Sequence, residues 1–117
     1  MVAFREFTFD SAHFLPNVPE GHKCSNMHGH TYRLKLFIEG ELDTALGWIM
    51  DFSELKLHVS KILNIIDHKT LNDIPGLQNP TCELLAIWLW HNIKAVVPVL
   101  KKIELYETPN AGVTYSG

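Results

Sequence analysis

No apolar run in these 117 residues approaches the roughly 18 positions that a membrane-spanning helix requires. Positive charge is scarce and scattered: 10 Lys and Arg stand against 13 Asp and Glu, for a formal net charge of −3. With no basic stripe or arginine cluster, the electrostatic footprint of a nucleic-acid-binding surface is missing. Cysteine is limited to Cys24 and Cys82, which could pair in principle. The stretch Met1–Glu6 has no apolar h-region of a secretory signal, so a reducing, cytoplasmic setting with free thiols is the expectation. Repeats, low-complexity tracts and dividing linkers are absent as well, and residues 1–117 are expected to form one domain. What is present suits a globular fold: 46% hydrophobic residues, and a 20% charged fraction that argues against disorder.

Two strands are expected first, over residues 2–13 and 28–39. In the second, Tyr32, Leu34, Leu36 and Ile38 alternate with Thr31, Arg33 and Lys35, the period of two of a half-buried strand. A helix follows, opened by the capping box Asp51-Phe52-Ser53-Glu54 and carrying Phe52, Leu55, Val59, Ile62, Leu63 and Ile66 as one stripe. It ends near Asp67-His68. A second helix is expected after the loop 72–80, with Pro80 in its first turn and Asn79 or Thr81 as cap. Leu84, Leu85, Trp88, Leu89 and Ile93 continue it to Pro98. A hairpin closes the chain, Ile103–Glu107 and Val113–Ser116 about a turn at 109–112. The order ββααββ predicts an α+β fold, with a four-stranded antiparallel sheet and two helices on one face. Its thin core makes an oligomer a reasonable expectation.

The densest chemistry lies in Cys24-Ser25-Asn26-Met27-His28-Gly29-His30, with His13 upstream. His28 and His30 share the parity of the apolar set and project from one face. An antiparallel register placing His13 opposite either of them gathers three imidazoles, a donor set that suits zinc and could also hold iron, copper or nickel. Cys24 is open to two readings. As a fourth ligand it closes a structural CysHis3 site; as a free thiol beside a three-histidine metal it becomes a base of lowered pKa. His58 and His91 are read as solvent-facing, and His22 as a solvated loop residue.

Two further features favour the thiol reading. Asp67-His68 has the ordinary reading of a helix-terminal capping pair, yet Asp and His are also the partners that activate a thiol and relay its proton. Glu107 shares parity with Ile103 and Leu105, which puts a carboxylate on the apolar face. It is either a wet residue at the strand end or an anchor for a ligand with paired N–H groups.

Taken together, these residues resemble the 6-pyruvoyl-tetrahydropterin synthase / 6-carboxy-tetrahydropterin synthase family over essentially the whole chain. The matching motifs are Ser11-Ala12-His13, CxxxHGH from Cys24 to His30, Trp48-Ile49-Met50-Asp51-Phe52, Leu71-Asn72-Asp73, Asn79-Pro80-Thr81-Cys82-Glu83 and Glu107-Thr108. The compact length and Val18-Pro19-Glu20-Gly21-His22-Lys23-Cys24 are more similar to the bacterial, carboxy-forming branch of the queuosine pathway than to the animal pyruvoyl branch. Lys69, where bacterial relatives often carry a second His, and Pro109-Asn110 depart from the pattern.

The resemblance implies a tunnelling fold, in which three subunits join their sheets into a barrel and two trimers stack as a homohexamer with active sites between subunits. It implies one zinc per subunit on His13, His28 and His30, with Cys24 as proton-abstracting base and Asp67 and His68 as relay. Glu107 would anchor the pterin, and Thr81 would help line its pocket. The implied substrate is 7,8-dihydroneopterin triphosphate. Its products would be 6-carboxy-5,6,7,8-tetrahydropterin, acetaldehyde and triphosphate, the metal serving as Lewis acid on the side-chain hydroxyls. Two alternatives stand beside this lyase. One is the pyruvoyl synthase, which eliminates triphosphate only; the other is a non-catalytic domain with a structural CysHis3 zinc.

Overall fold

The alternation seen in the sequence becomes a twisted sheet backed by two helices, in a computed structural model that describes all of residues 1–117. Strand β1 (Val2–His13) pairs antiparallel with β2 (His28–Glu39), helix α1 (Phe52–Ile66) follows, and a two-residue strand β3 (Lys69–Thr70) returns to the sheet. Helix α2 (Cys82–Val96), β4 (Leu100–Thr108) and β5 (Ala111–Tyr115) complete the chain. The sheet order is β3-β1-β2-β4-β5.

The expected four antiparallel strands are therefore five, because β3 adds a parallel rung beside Ser11 and Ala12. The cause is local. His68 takes a left-handed φ of 57° after α1, and its N–H donates to the Asp10 carbonyl at 2.6 Å, turning residues 69–70 along β1. A two-residue strand has no periodicity to betray it.

One core joins the layers. Tyr32, Leu34, Leu36 and Ile38 of β2, with Ile103 and Leu105 of β4, are fully buried against Leu55, Val59 and Ile66 of α1 and Leu85, Leu89 and Ile93 of α2. Phe9 of β1 stacks on Tyr32 at a ring distance of 4.9 Å. Asp51 caps α1 by accepting the Ser53 N–H, while Phe52, expected in the stripe, is exposed because it sits on the first turn beyond the sheet's cover. Thr81 caps α2 by accepting from Leu84, so Pro80 precedes the helix instead of standing in its first turn. Leu84 is exposed and Trp88 half-buried; Cys82, Ala86 and Trp90 take the buried positions, a helical face rotated from the one expected. No helix is long and apolar enough to cross a membrane.

Strands β4 and β5 depart from simple pairing at one point. Tyr106 faces Gly112 and Thr108 faces Ala111, which leaves Glu107 as the extra residue of a bulge. Gly112 is required there, since a Cβ at this position would stand 2.3 Å from the Leu105 carbonyl oxygen. On the other side, the β2/β4 ladder begins at Arg33–Tyr106, so Glu107 lies beyond its last rung. Both effects free Glu107 from the ladder at the end of the sheet where the histidines lie.

Candidate metal centre and active site

The β1/β2 register places His13 directly across from His28, one of the two registers that strand parity allowed. The rings of His13, His28 and His30 lie edge to face with centroids 4.6, 5.1 and 4.9 Å apart. Each offers a nitrogen to a common point, and the three form a group able to hold a metal ion.

Backbone carbonyls set their tautomers. His13 Nδ1 lies 2.8 Å from the Pro80 carbonyl and His28 Nδ1 lies 2.7 Å from the Asn26 carbonyl. A carbonyl only accepts, so each Nδ1 carries the hydrogen and each Nε2 is left with its lone pair. Those two Nε2 atoms face each other at 3.0 Å. Two bare lone pairs at that distance repel unless a cation lies between them. The donor set and its carbonyl support could hold a transition-metal ion, and the residues fit one. Burial holds the His13 pKa below its ordinary 6.5, reinforced by His28 and His30 and opposed by the Pro80 carbonyl and Glu107. Burial also lowers the His30 pKa, with Glu107 opposing and His28 assisting. Both rings are thereby kept neutral, the form that ligates a metal.

Glu107 completes the cluster. Its carboxylate stands 3.6 Å from His13 Nε2 and 3.8 Å from His30 Nε2, and its side chain is 28% exposed. These distances are too long for hydrogen bonds. The carboxylate thus faces the imidazoles with its lone pairs available, an acceptor at the wall of the site. The strand-end position expected for Glu107 is correct, and the acceptor's neighbours are the histidines themselves.

Cys24 does not join the imidazole group. It sits half-exposed in a 3-10 turn, Lys23–Ser25, on the loop between β1 and β2. His22, expected to be merely solvated, caps this turn by accepting the Cys24 N–H at Nδ1, 3.0 Å away. The other thiol, Cys82, is buried, and burial with nearby Glu107 and Glu83 pushes its pKa up to about 12. It stays protonated and inert.

Asp67 and His68 form a second, separate constellation at the β1/β3 edge. Asp67 Oδ1 accepts from His68 Nδ1 and from the Asp10 N–H, both at 2.9 Å. Thr31 Oγ1 donates to the Asp10 carboxylate. The His68 ring is 75% exposed. Asp67 is also the residue that ends α1, its N–H donating to Leu63, so the capping role and the His68 contact coexist. Thr81 is occupied as the α2 cap. Of the peripheral histidines, His91 is exposed as expected, whereas His58 is half-buried and lies 3.8 Å from Glu54 one turn earlier.

Sequence reasoning overlooked the residues that hold the ligands in place. Asn72 grips β1 at its end, accepting the Phe14 N–H at 3.0 Å and donating to the Phe14 carbonyl at 2.9 Å. The Ser11 hydroxyl donates to the Ile66 carbonyl at 2.7 Å, tying β1 to the end of α1. The Pro80 and Asn26 carbonyls carry no side-chain signal at all. Tyr32, read simply as apolar, brings its hydroxyl within 3.5 Å of His13 Nδ1, and burial holds that phenol well above its ordinary pKa.

Comparison with known proteins gives the arrangement its context. The chain is 37% identical to the 6-carboxy-5,6,7,8-tetrahydropterin synthase of Synechocystis sp., covering 97% of this chain and 92% of that protein. It is 38% identical to the human 6-pyruvoyl tetrahydrobiopterin synthase, over 81% of this chain and 71% of that one. The structure of 6-pyruvoyl tetrahydropterin synthase from Caenorhabditis elegans superimposes with a TM-score of 0.92 at 31% identity, covering 100% of this chain and 95% of that one. The family profile described as 6-pyruvoyl tetrahydropterin synthase matches residues 3–117, and the chain belongs to that family.

Proposed function

We propose that the protein is a zinc-dependent lyase that converts 7,8-dihydroneopterin triphosphate to 6-carboxy-5,6,7,8-tetrahydropterin, releasing acetaldehyde and triphosphate, in queuosine biosynthesis. The observation that carries the reading is the convergence of His13, His28 and His30 on one point with the Glu107 carboxylate beside them. All-imidazole ligation suits zinc, and three protein ligands leave a position for substrate. Bound there, zinc supplies Lewis-acid polarisation of the substrate side-chain hydroxyls.

The protein's own groups do the rest. Glu107 accepts the paired N–H groups of the pterin's amino-pyrimidine edge and fixes the ring, so that the side chain reaches the metal in one orientation. Cys24, as thiolate, removes and returns protons along that side chain. His68, its Nδ1–H held by Asp67, has its Nε2 turned outward and free to pass a proton on. Since His68 stands apart from the imidazole group and points into solvent at a sheet edge, a relay completed by another subunit is the arrangement that uses it. The unpaired lengths of β1 and β5 at the two sheet edges suit the joining of sheets into a trimeric barrel, and stacked trimers make the hexamer. A cytoplasmic site of action accords with the two free thiols.

The carboxy-forming branch is favoured over the pyruvoyl branch by the near end-to-end match to the Synechocystis protein, against 71% coverage of the human one. The mass of the product formed from dihydroneopterin triphosphate by the zinc-loaded protein tests this. A 6-carboxy product with acetaldehyde is expected. A product retaining the whole three-carbon side chain would move the assignment to the pyruvoyl reaction, and no turnover would overturn it.

A further inference from the structure

The β2/β4 ladder ends at Arg33–Tyr106, and beyond that rung the strands part. A cleft of about 430 Å3 lies at this end of the sheet, lined by Thr8 of β1, Thr31 and Arg33 of β2 and Tyr106 and Thr108 of β4, and reaching His30 and Glu107. By strand parity Thr31, Arg33 and Tyr106 belong to the face away from the helices and His30 to the metal-centre face, where the Glu107 carboxylate stands 3.8 Å from it. The cleft therefore borders side chains of both faces at the end of the sheet where β2–β4 pairing has stopped. One of its lining residues, His30, belongs to the imidazole cluster.

The cleft is electrically polarised. Its inner end carries the Glu107 carboxylate, an acceptor that repels anions and takes donors. Its outer end carries the Arg33 guanidinium, 4.3 Å above the Tyr106 ring. Stacking on the aromatic face holds the planar cation without using its N–H groups. Lys101 pairs with Glu39, Lys102 with Glu104, and Arg5 donates to the Phe52 carbonyl, while Lys35 lies over the Phe4 ring and Lys69 is exposed on β3, outside this cleft. Arg33 has no such partner, so its fork of donors remains free. The carboxylate of Asp10, on β1 across from Thr31, is engaged by the Thr31 hydroxyl. Arg33 lies three residues beyond His30, about 10 Å at the rise of a strand. A ligand anchored at the histidines would extend an anionic tail over roughly that distance.

We propose that this cleft is the polyphosphate subsite of the enzyme and that Arg33 is the residue that grips the phosphate chain. The inference rests on the pterin-triphosphate reading given above and deepens it. It also gives the ligand a direction: the donor edge of the ring goes inward to Glu107, and the charged tail outward to Arg33. Planar bidentate donation to phosphate oxygens is the recognition that a guanidinium performs better than an ammonium.

The test uses inorganic tripolyphosphate, whose binding needs no turnover. Its dissociation constant is measured by calorimetry on zinc-loaded wild type, Arg33→Gln, Arg33→Lys and Lys56→Gln, with metal content determined after each titration. Loss of one charge-assisted contact should weaken tripolyphosphate about tenfold or more in Arg33→Gln. Arg33→Lys should fall between, and removing the charge of the remote α1 residue Lys56 should change nothing. The KM for dihydroneopterin triphosphate should rise in parallel. Unchanged affinity in Arg33→Gln at full metal content, or no binding by wild type, refutes the subsite. Normal tripolyphosphate binding and its loss in Arg33→Gln, without any conversion of the pterin, would refute the reaction assigned above and leave the subsite standing.

Discussion

The carboxylate of Glu107 is the group whose removal separates substrate anchoring from metal binding. It lies 3.6 and 3.8 Å from two imidazole nitrogens and hydrogen-bonds neither. Burial lowers the pKa of both rings, so near neutral pH they bear no charge for it to balance. Its anionic oxygens thus remain available to a ligand. The candidate metal-binding imidazoles are oriented from elsewhere, His13 by the Pro80 carbonyl and His28 by the Asn26 carbonyl. Glu107→Gln preserves shape and one acceptor, but replaces the other with an amide donor aimed at the pterin's own donors. A hydrogen bond to a charged group is worth about 1.5–3 kcal/mol, which corresponds to about a 10- to 150-fold drop in kcat/KM. With a side chain that is 28% exposed, the isosteric change should leave stability within about 1 kcal/mol. Steady-state kinetics on dihydroneopterin triphosphate, paired with metal analysis and a denaturant titration, reads all three quantities. A kcat/KM within about threefold of wild type would refute anchoring by Glu107. Loss of zinc with activity would show that the carboxylate belongs to the metal site.

Other perturbations probe the remaining parts. Cys24→Ala should retain zinc and fold but lose turnover; simultaneous loss of metal and folding would restore the CysHis3 reading. Asn72→Ala removes both bonds to the Phe14 backbone, next to His13, and at about 1 kcal/mol each should lower stability by about 2 kcal/mol. Metal affinity should weaken with it, and Asn72→Asp, which sets a carboxylate oxygen against the Phe14 carbonyl, should lose at least as much near neutral pH; an unchanged denaturant midpoint would exclude the clamp. For the metal-free protein, the lowered pKa values of His13 and His30 set the sign of the pH effect. Between those values and the ordinary 6.5 the unfolded chain binds more protons, so stability is full above about pH 6.5 and falls as the pH drops below it. A melting temperature that rises on acidification from pH 7 to 5.5 would contradict this.

The sequence by itself determined what periodicity and local chemistry can carry. The alternation of Tyr32, Leu34, Leu36 and Ile38 was enough for β2 and for the shared face of His28 and His30. Asp51 and the stripe from Leu55 to Ile66 were enough for α1, while the parity of Glu107 left it open between a wet strand end and an inward carboxylate. Each is a property of residues near in the chain, where strand and helix repeats act directly on side-chain direction. The tertiary structure decided everything that depends on distant segments meeting. The register that sets His13 against His28, the Pro80 carbonyl that fixes the His13 tautomer, and the Asn72 grip on Phe14 join positions up to 67 residues apart. So does the strand β3, which exists because the His68 amide found the Asp10 carbonyl. No local pattern encodes such contacts, since they arise from packing one core rather than from any repeat. The bulge at Glu107 and the end of the β2–β4 ladder belong to the same class, and with them the cleft that holds Arg33, His30 and Glu107.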